Sequence, residues 1–182
     1  MKIICISGKA QHGKSTCAEA MREELEKTTA LRVLVTNYGD LLKYIAKAYF
    51  NWNGIKDDFG RTLLQETGSK LRKYRKTFFV DFMIDILAAF HDSFDVVIIA
   101  DCRFENEIDS LKREGFDVTS VRIDRGHYTG GLTKKQMRHE SETSLDSYSF
   151  DYVIKNDFKS SNMYIDECKK LIHEILKRRT LK

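Results

Sequence analysis

Proline is absent from the 182 residues of this chain, so no turn is stiffened by a pyrrolidine ring; the absence carries no functional reading. Cysteine is sparse and never paired. Cys5, Cys17, Cys102 and Cys168 form no C-x-x-C, which leaves reduced, buried thiols as the expectation. No spacing among the five histidines suggests a metal site. There is no signal-peptide pattern and no apolar run long enough to span a bilayer, so the protein is expected to stay in the cytosol where it is made, without a membrane partner. Internal repeats and low-complexity segments are also missing. Excess charge is modest at a formal +4, which argues for anionic small molecules at least as readily as for a nucleic-acid duplex. What remains, 42% hydrophobic and 32% charged residues, suits a single globular domain with a real core.

The stretch with the sharpest chemistry opens the chain. Lys2-Ile3-Ile4-Cys5-Ile6-Ser7 is apolar, Gly8-Lys9-Ala10-Gln11-His12-Gly13-Lys14-Ser15-Thr16 breaks it with glycines, and a helical pattern follows to Leu25. Gly8, Gly13, Lys14 and Ser15 fit G-x-x-x-x-G-K-[ST], the phosphate-binding loop, in the strand–loop–helix context it requires. Such a loop surrounds a triphosphate with backbone N–H groups that a Cβ at either glycine would push away. Lys14 would reach the β- and γ-phosphates, Ser15 would offer its hydroxyl to Mg²⁺, and the helix N-terminus would add partial positive charge. No Asn-Lys-x-Asp element for guanine accompanies it, which speaks against a GTPase.

Apolar runs alternate with 3.6-period stretches, the mark of an α/β fold with a parallel sheet between helices. Five strands are expected, at roughly Lys2–Ser7, Arg32–Asn37, Asp95–Asp101, Asp117–Asp124 and Asp151–Lys155, with the uninterrupted Val96-Val97-Ile98-Ile99-Ala100 as a central one. A mostly helical insertion of roughly fifty residues separates the second and third, longer than a crossover needs. In it Phe78, Phe79, Phe82, Met83, Ile86, Leu87 and Phe90 recur as a core-facing stripe. Arg125-Gly126-His127-Tyr128-Thr129-Gly130-Gly131 has the composition of a moving lid, and Leu132 to Ser144 reads as a polar connection. Met163, Tyr164, Cys168, Leu171, Ile172, Ile175 and Leu176 give a last helix its apolar face, and Lys177-Arg178-Arg179 reads as its solvated end.

The apolar run to Ala100 ends in Asp101, either the second Mg²⁺ anchor of a phosphate-loop enzyme or a simple cap. Phosphoryl transfer needs cations that hold phosphates in line, and Arg72, Arg103, Arg125 and Arg138 are the arginines placed for it. Asp40 is the best-placed base for an alcohol acceptor, or equally a helix N-cap; a phosphate acceptor would need no strong base. His12 and His139 sit in candidate site loops, where a polar filler role is the default.

Four segments together resemble one family. They are Ser7 to Thr16; Tyr38-Gly39-Asp40-Leu41-Leu42-Lys43 with Leu63-Leu64-Gln65-Glu66-Thr67-Gly68 and Arg72; Ile99-Ala100-Asp101-Cys102-Arg103-Phe104-Glu105-Asn106-Glu107; and His139-Glu140-Ser141-Glu142-Thr143 with Asp151-Tyr152-Val153-Ile154-Lys155-Asn156. In order and over nearly the whole chain, they are similar to the deoxynucleoside monophosphate kinases encoded by bacteriophages, within the P-loop kinases. Glu105 and Glu140 stand where proline is common in that family, a matter of turn stiffness more than chemistry. The resemblance implies a three-layer α/β/α P-loop fold with a five-stranded parallel sheet, a nucleotide-gripping helical insertion over residues 38–92 and a lid over 125–145. It further implies that Asp40, Arg72, Arg103 and Glu107 line the monophosphate site, that Arg125 and Arg138 approach the phosphates catalytically beside Lys14, and that Asn156 lies near the ATP base. Gly8 to Thr16 would bind ATP, and Ser15 with Asp101 would hold Mg²⁺.

The sequence therefore leads to a phosphotransferase moving the γ-phosphoryl of ATP to a (deoxy)nucleoside 5′-monophosphate, in the host cytoplasm if virus-encoded. Its partners would be small molecules, as a monomer or homodimer, with nucleic acid disfavoured. The rivals are a kinase for another phosphorylated small molecule, such as phosphomevalonate, and a nucleic-acid-associated ATPase.

Overall fold

Successive residues of a strand face opposite ways, and β1 (Lys2–Ser7) is apolar on both sides because both are covered. A computed structural model describes residues 1–157 and 160–177. β1 is followed by α1 (Lys14–Thr28), β2 (Val33–Thr36), α2 (Gly39–Phe50), α3 (Asp58–Tyr74), α4 (Phe78–Ala89), β3 (Val96–Cys102), α5 (Glu105–Arg113), β4 (Asp117–Asp124), α6 (Lys134–Met137), α7 (Glu140–Thr143), β5 (Tyr152–Lys155) and α8 (Ser161–Lys177). The five strands pair in parallel in the order β2-β3-β1-β4-β5. Thus β1, not β3, is the middle strand; β3 is interior but one place off centre, and its unbroken apolar run reflects cover on both faces rather than a central position.

Ile4 and Ile6, with Ile98 and Ile123, meet α1 and α8 through Cys17, Met21, Leu25, Cys168 and Ile172. Ile3 and Cys5, with Val97 and Ile99, meet α4 and α5 through Phe79, Met83, Leu87, Ile108 and Leu111. Three layers result, and all four cysteines are free and buried. The α4 stripe is narrower than its spacing suggests: Phe79, Val80, Met83 and Leu87 are buried, whereas Phe82 and Phe90 are exposed, since one helix face cannot bury seven large side chains at once. On α8 Met163 is likewise exposed. Lys177 ends α8, and Arg178 and Arg179 lie outside the described residues.

α2, α3 and α4 form the insertion between β2 and β3. Asp57 starts α3 by accepting the Gly60 N–H at 2.7 Å, as an N-cap should. The connection after β4 is more ordered than a polar loop: it holds two single turns, α6 capped by Thr133 and α7 capped by the His139 ring. No described helix is long and apolar enough to cross a membrane.

Candidate active site

Where the carboxyl ends of β1 and β3 meet the insertion, they wall a cleft of about 650 Å³, the position where open α/β sheets place ligands. Ala10, Gln11, Lys14 and Ser15 line it from the loop after β1, Lys43 from α2, Lys56 ahead of α3, and Arg61, Gln65 and Arg72 from α3. Asp101, Arg103 and Glu107 line it from the end of β3 and the start of α5. Six cations face three carboxylates, the third being Glu142.

The glycines of the loop are required by the scaffold. Gly8 and Gly13 have φ of +154° and +100°, and a Cβ on them would stand 2.6 Å from the Ile123 carbonyl oxygen and 2.6 Å from Asn156 Nδ2. Those atoms belong to the wall behind the loop rather than to the cleft. Gly8→Ala and Gly13→Ala are each expected to destabilise the protein by about 1–3 kcal/mol, read as a lower urea midpoint with unchanged slope. Asn156 is part of the same wall. Its Nδ2 donates to the His12 carbonyl at 2.7 Å, and its buried Oδ1 has no hydrogen-bond partner among the described residues. It braces the loop from behind and does not line the cleft, because β5 lies on the far side of β4 from β3.

Inside the cleft Lys14 is 8% exposed and its ammonium donates to the carbonyls of Gly8 and Lys9, both at 2.7 Å. Burial, and then the charge of Arg103, hold the Lys14 amine well below its usual range. Lys56 is lowered too, by desolvation and by Lys43. Cations that resist their own charge until an anion arrives are what a phosphate site would contain. Ser15 is exposed at the start of α1, at the cleft wall.

Asp101 accepts N–H groups from Tyr38 at 2.7 Å and Gly39 at 2.9 Å, so it joins β3 to the first turn of α2. Burial pushes its carboxyl up, opposed by those N–H groups and by Arg103. Glu107 is 1% exposed and accepts the N–H groups of Arg103 at 2.6 Å and Phe104 at 3.2 Å. Its other oxygen takes Arg72 at 3.0 Å, and the Arg72 guanidinium lies over the rings of Phe79 and Phe104, 4.5 and 4.0 Å from their centres. Burial raises the Glu107 carboxyl, with Arg72 the main opposing charge.

Several expected residues lie elsewhere. Asp40 is already inside α2 rather than capping it, is exposed, and is held by Asn37 and Lys43 outside the cleft lining. Arg125 reaches over the outside of the loop, donating to the Gln11 carbonyl at 3.2 Å and stacking on Tyr128 at 3.8 Å. Arg138 is exposed beyond α6 and does not line the cleft. Gly8, Lys9, His12, Gly13 and Thr16 belong to the loop but not to the cleft surface. The buried His12 ring faces away: Nδ1 accepts the Arg125 N–H at 3.1 Å, which leaves Nε2–H to donate to the Tyr128 carbonyl at 3.0 Å. Burial lowers its pKa, in keeping with that neutral tautomer.

Sequence reasoning missed Arg61, Lys43, Lys56, Gln65 and Glu142 as cleft residues. Arg61 spans from α3 to the carbonyls of Gly130 and Gly131 at 3.1 and 3.2 Å. Gln65 donates to the Gln136 carbonyl at 3.2 Å, and Ser69 to Glu140 at 2.7 Å. These bonds stitch α3 to the segment 130–140 and roof the cleft.

No family model matches the chain and no curated protein is similar to it in sequence. Solved structures share its fold. Shikimate kinase from Bacteroides thetaiotaomicron superposes with a TM-score of 0.52 at 14% identity, covering 97% of this chain and 98% of that one. Shikimate kinase from Aquifex aeolicus gives 0.51 at 16% identity over 98% of both chains. The APS kinase of Mycobacterium tuberculosis, in complex with AMPPNP and APS, gives 0.51 at 13% identity over 97% of both. The fold is that of the P-loop kinases. Likeness at this level reaches the scaffold and stops short of the ligand.

Proposed function

We propose that the protein is a kinase of small phosphorylated acceptors, transferring the γ-phosphoryl of ATP to a (deoxy)nucleoside 5′-monophosphate. The observation that carries this reading is the distribution of cations in one cleft: Lys14 with Arg103 beside the loop, and Lys43, Lys56 and Arg72 on the other walls. A single triphosphate needs only the first group; the second suits an acceptor that brings a phosphate of its own. Phe104, Leu42 and Leu64 add flat and apolar surface beside it, and the Gln65 amide a polar edge, as a nucleobase requires.

In this reading an oxygen of the acceptor phosphate attacks the γ-phosphorus, the bond to the β–γ bridging oxygen breaks, and ADP leaves. The acceptor oxygen is already ionised near neutral pH, so no side chain need remove a proton. Lys14 and Arg103 neutralise charge on the transferring group, while Arg72 holds the acceptor side. The donors for Mg²⁺ fit a metal that keeps most of its waters and leans on phosphate oxygens: the Ser15 hydroxyl directly and Asp101 through water, with no group of three or more acidic, histidine or cysteine ligands among the described residues. Bound there, Mg²⁺ would screen the β- and γ-phosphate charge. Residues 38–92 act as the acceptor-binding insertion and 125–145 as the lid; in the free protein Asp40, Arg125 and Asn156 are bonded to the loop and to the start of α2.

The test is coupled ADP release with Mg·ATP against deoxy- and ribonucleoside monophosphates, phosphomevalonate and single-stranded DNA. Turnover with particular nucleotides is expected. A response to DNA alone, or to no monophosphate by folded, ATP-binding protein, would sink the proposal.

A further inference from the structure

Anions are what the cleft is built for, and one is already inside it. The Glu142 side chain, 7% exposed, comes from α7 and places Oε2 at 2.9 Å from the Ala10 N–H of the phosphate loop. Its Oε1 takes the Arg103 guanidinium at 2.6 Å, and Arg103 also donates to the Ser141 carbonyl at 3.2 Å. A loop N–H and a wall arginine are therefore both held by one carboxylate, while the nearby Lys14 ammonium is folded back on the carbonyls of Gly8 and Lys9. Every one of these donors suits a phosphate oxygen. Only Glu142 among the acidic side chains of the cleft contacts the loop: Asp101 is turned to Tyr38 and Gly39, and Glu107 to Arg72 and the start of α5.

We propose that Glu142 is an internal stand-in for a phosphate group, seated between Ala10 and Arg103 in the free protein and displaced when the phosphate chain of the donor enters. The physical reason is that two anions cannot share one donor pair in a site this closed: at a few ångströms and the effective dielectric of a protein their repulsion is several times thermal energy. While seated, the carboxylate satisfies the loop N–H and supplies the half-buried Arg103 with its countercharge, beside the Ser141 carbonyl. Once displaced, it surrenders Arg103 to the phosphoryl group, so a wall arginine becomes available only after the donor has arrived. Glu142 is a positioning residue acting through Arg103 and Ala10. This rests on the loop taking a phosphate chain but not on which acceptor follows.

The sign of the effect separates displacement from scaffolding. Glu142→Gln keeps an oxygen for the Ala10 N–H and removes the charge, so inorganic tripolyphosphate and ATP, titrated calorimetrically without acceptor, are expected to bind about tenfold tighter, with a lower melting temperature for the free protein. A residue that merely shaped the loop would weaken binding when replaced. Glu142→Asp, one methylene shorter, keeps the charge but falls short of spanning Ala10 and Arg103; it is expected to tighten binding by a smaller factor and gives a second reading should Glu142→Gln fold poorly. Unchanged or weaker binding in the folded variants would overturn the assignment alone. No binding of tripolyphosphate by wild type or any variant would overturn the phosphate-loop reading along with it.

Discussion

Lys14→Ala is expected to reduce ADP release with the best acceptor by about a thousandfold while leaving the fold standing. The first half follows from position: this ammonium is the cation the loop itself brings to the cleft, and charge developing on a transferring phosphoryl group in a closed site has few substitutes for it. The second half is less intuitive. In the free protein the ammonium is buried and satisfied only by two carbonyls, and burial depresses its pKa. The unfolded chain therefore binds the Lys14 proton more readily than the native one, and stability rises with pH as the amine approaches its ordinary range. Removing the side chain abolishes that slope and relieves a buried charge, so thermal unfolding should shift by only a few degrees. Stability-versus-pH curves of wild type and variant check the slope, and near-normal turnover by Lys14→Ala would sink the mechanism.

Arg72→Met carries the largest expected loss of stability, about 3–5 kcal/mol. Arg72 is clamped between Phe79 and Phe104 and paired with a Glu107 that water hardly reaches. Methionine fills part of the sandwich but leaves Glu107 buried without its countercharge. The burial that raises the Glu107 carboxyl then acts with less opposition. A raised carboxyl favours the native state below its ordinary range, and that advantage fades as pH rises through the folded value, so the variant should regain stability on mild acidification. Adding Glu107→Gln should restore much of the loss, making the two changes strongly non-additive in urea melts. Acceptor affinity should stay poor in the double variant, because the guanidinium is still missing. Additive losses would show that Arg72 and Glu107 are not a functional pair.

The parts of the site legible in the sequence are those written in contiguous residues. Gly8 to Ser15 announce their loop because strand, turn and helix follow one another, and Asp101 stands out because an unbroken apolar strand ends in it. Arg72 stands out as a cation placed for phosphoryl transfer and Glu107 through the family resemblance alone, and the structure brings them together across 35 positions. Glu142 meets Ala10 across 132 positions, and Arg61 meets Gly130 across 69; neither local periodicity nor composition encodes such meetings, which depend on how the segment after β4 folds back. Arg125 and Asn156 sit beside the loop, bonded to the carbonyls of Gln11 and His12, but outside the cleft lining, since adjacency in sequence to a strand end says nothing about which face a side chain takes. The α4 aromatics erred for a related reason, because spacing marks a stripe but its width is set by what lies opposite.

The roof joining α3 to residues 130–140 has a consequence for traffic. Arg61 and Gln65 fasten it through backbone carbonyls of the facing segment, groups that water can serve equally well, so parting it requires little more than wetting. Under the proposed function, donor and acceptor lie beneath the same covering, and neither can depart while it is shut. The two products then share one exit, and the frequency with which that door swings, more than the bond-breaking beneath it, sets the ceiling on turnover.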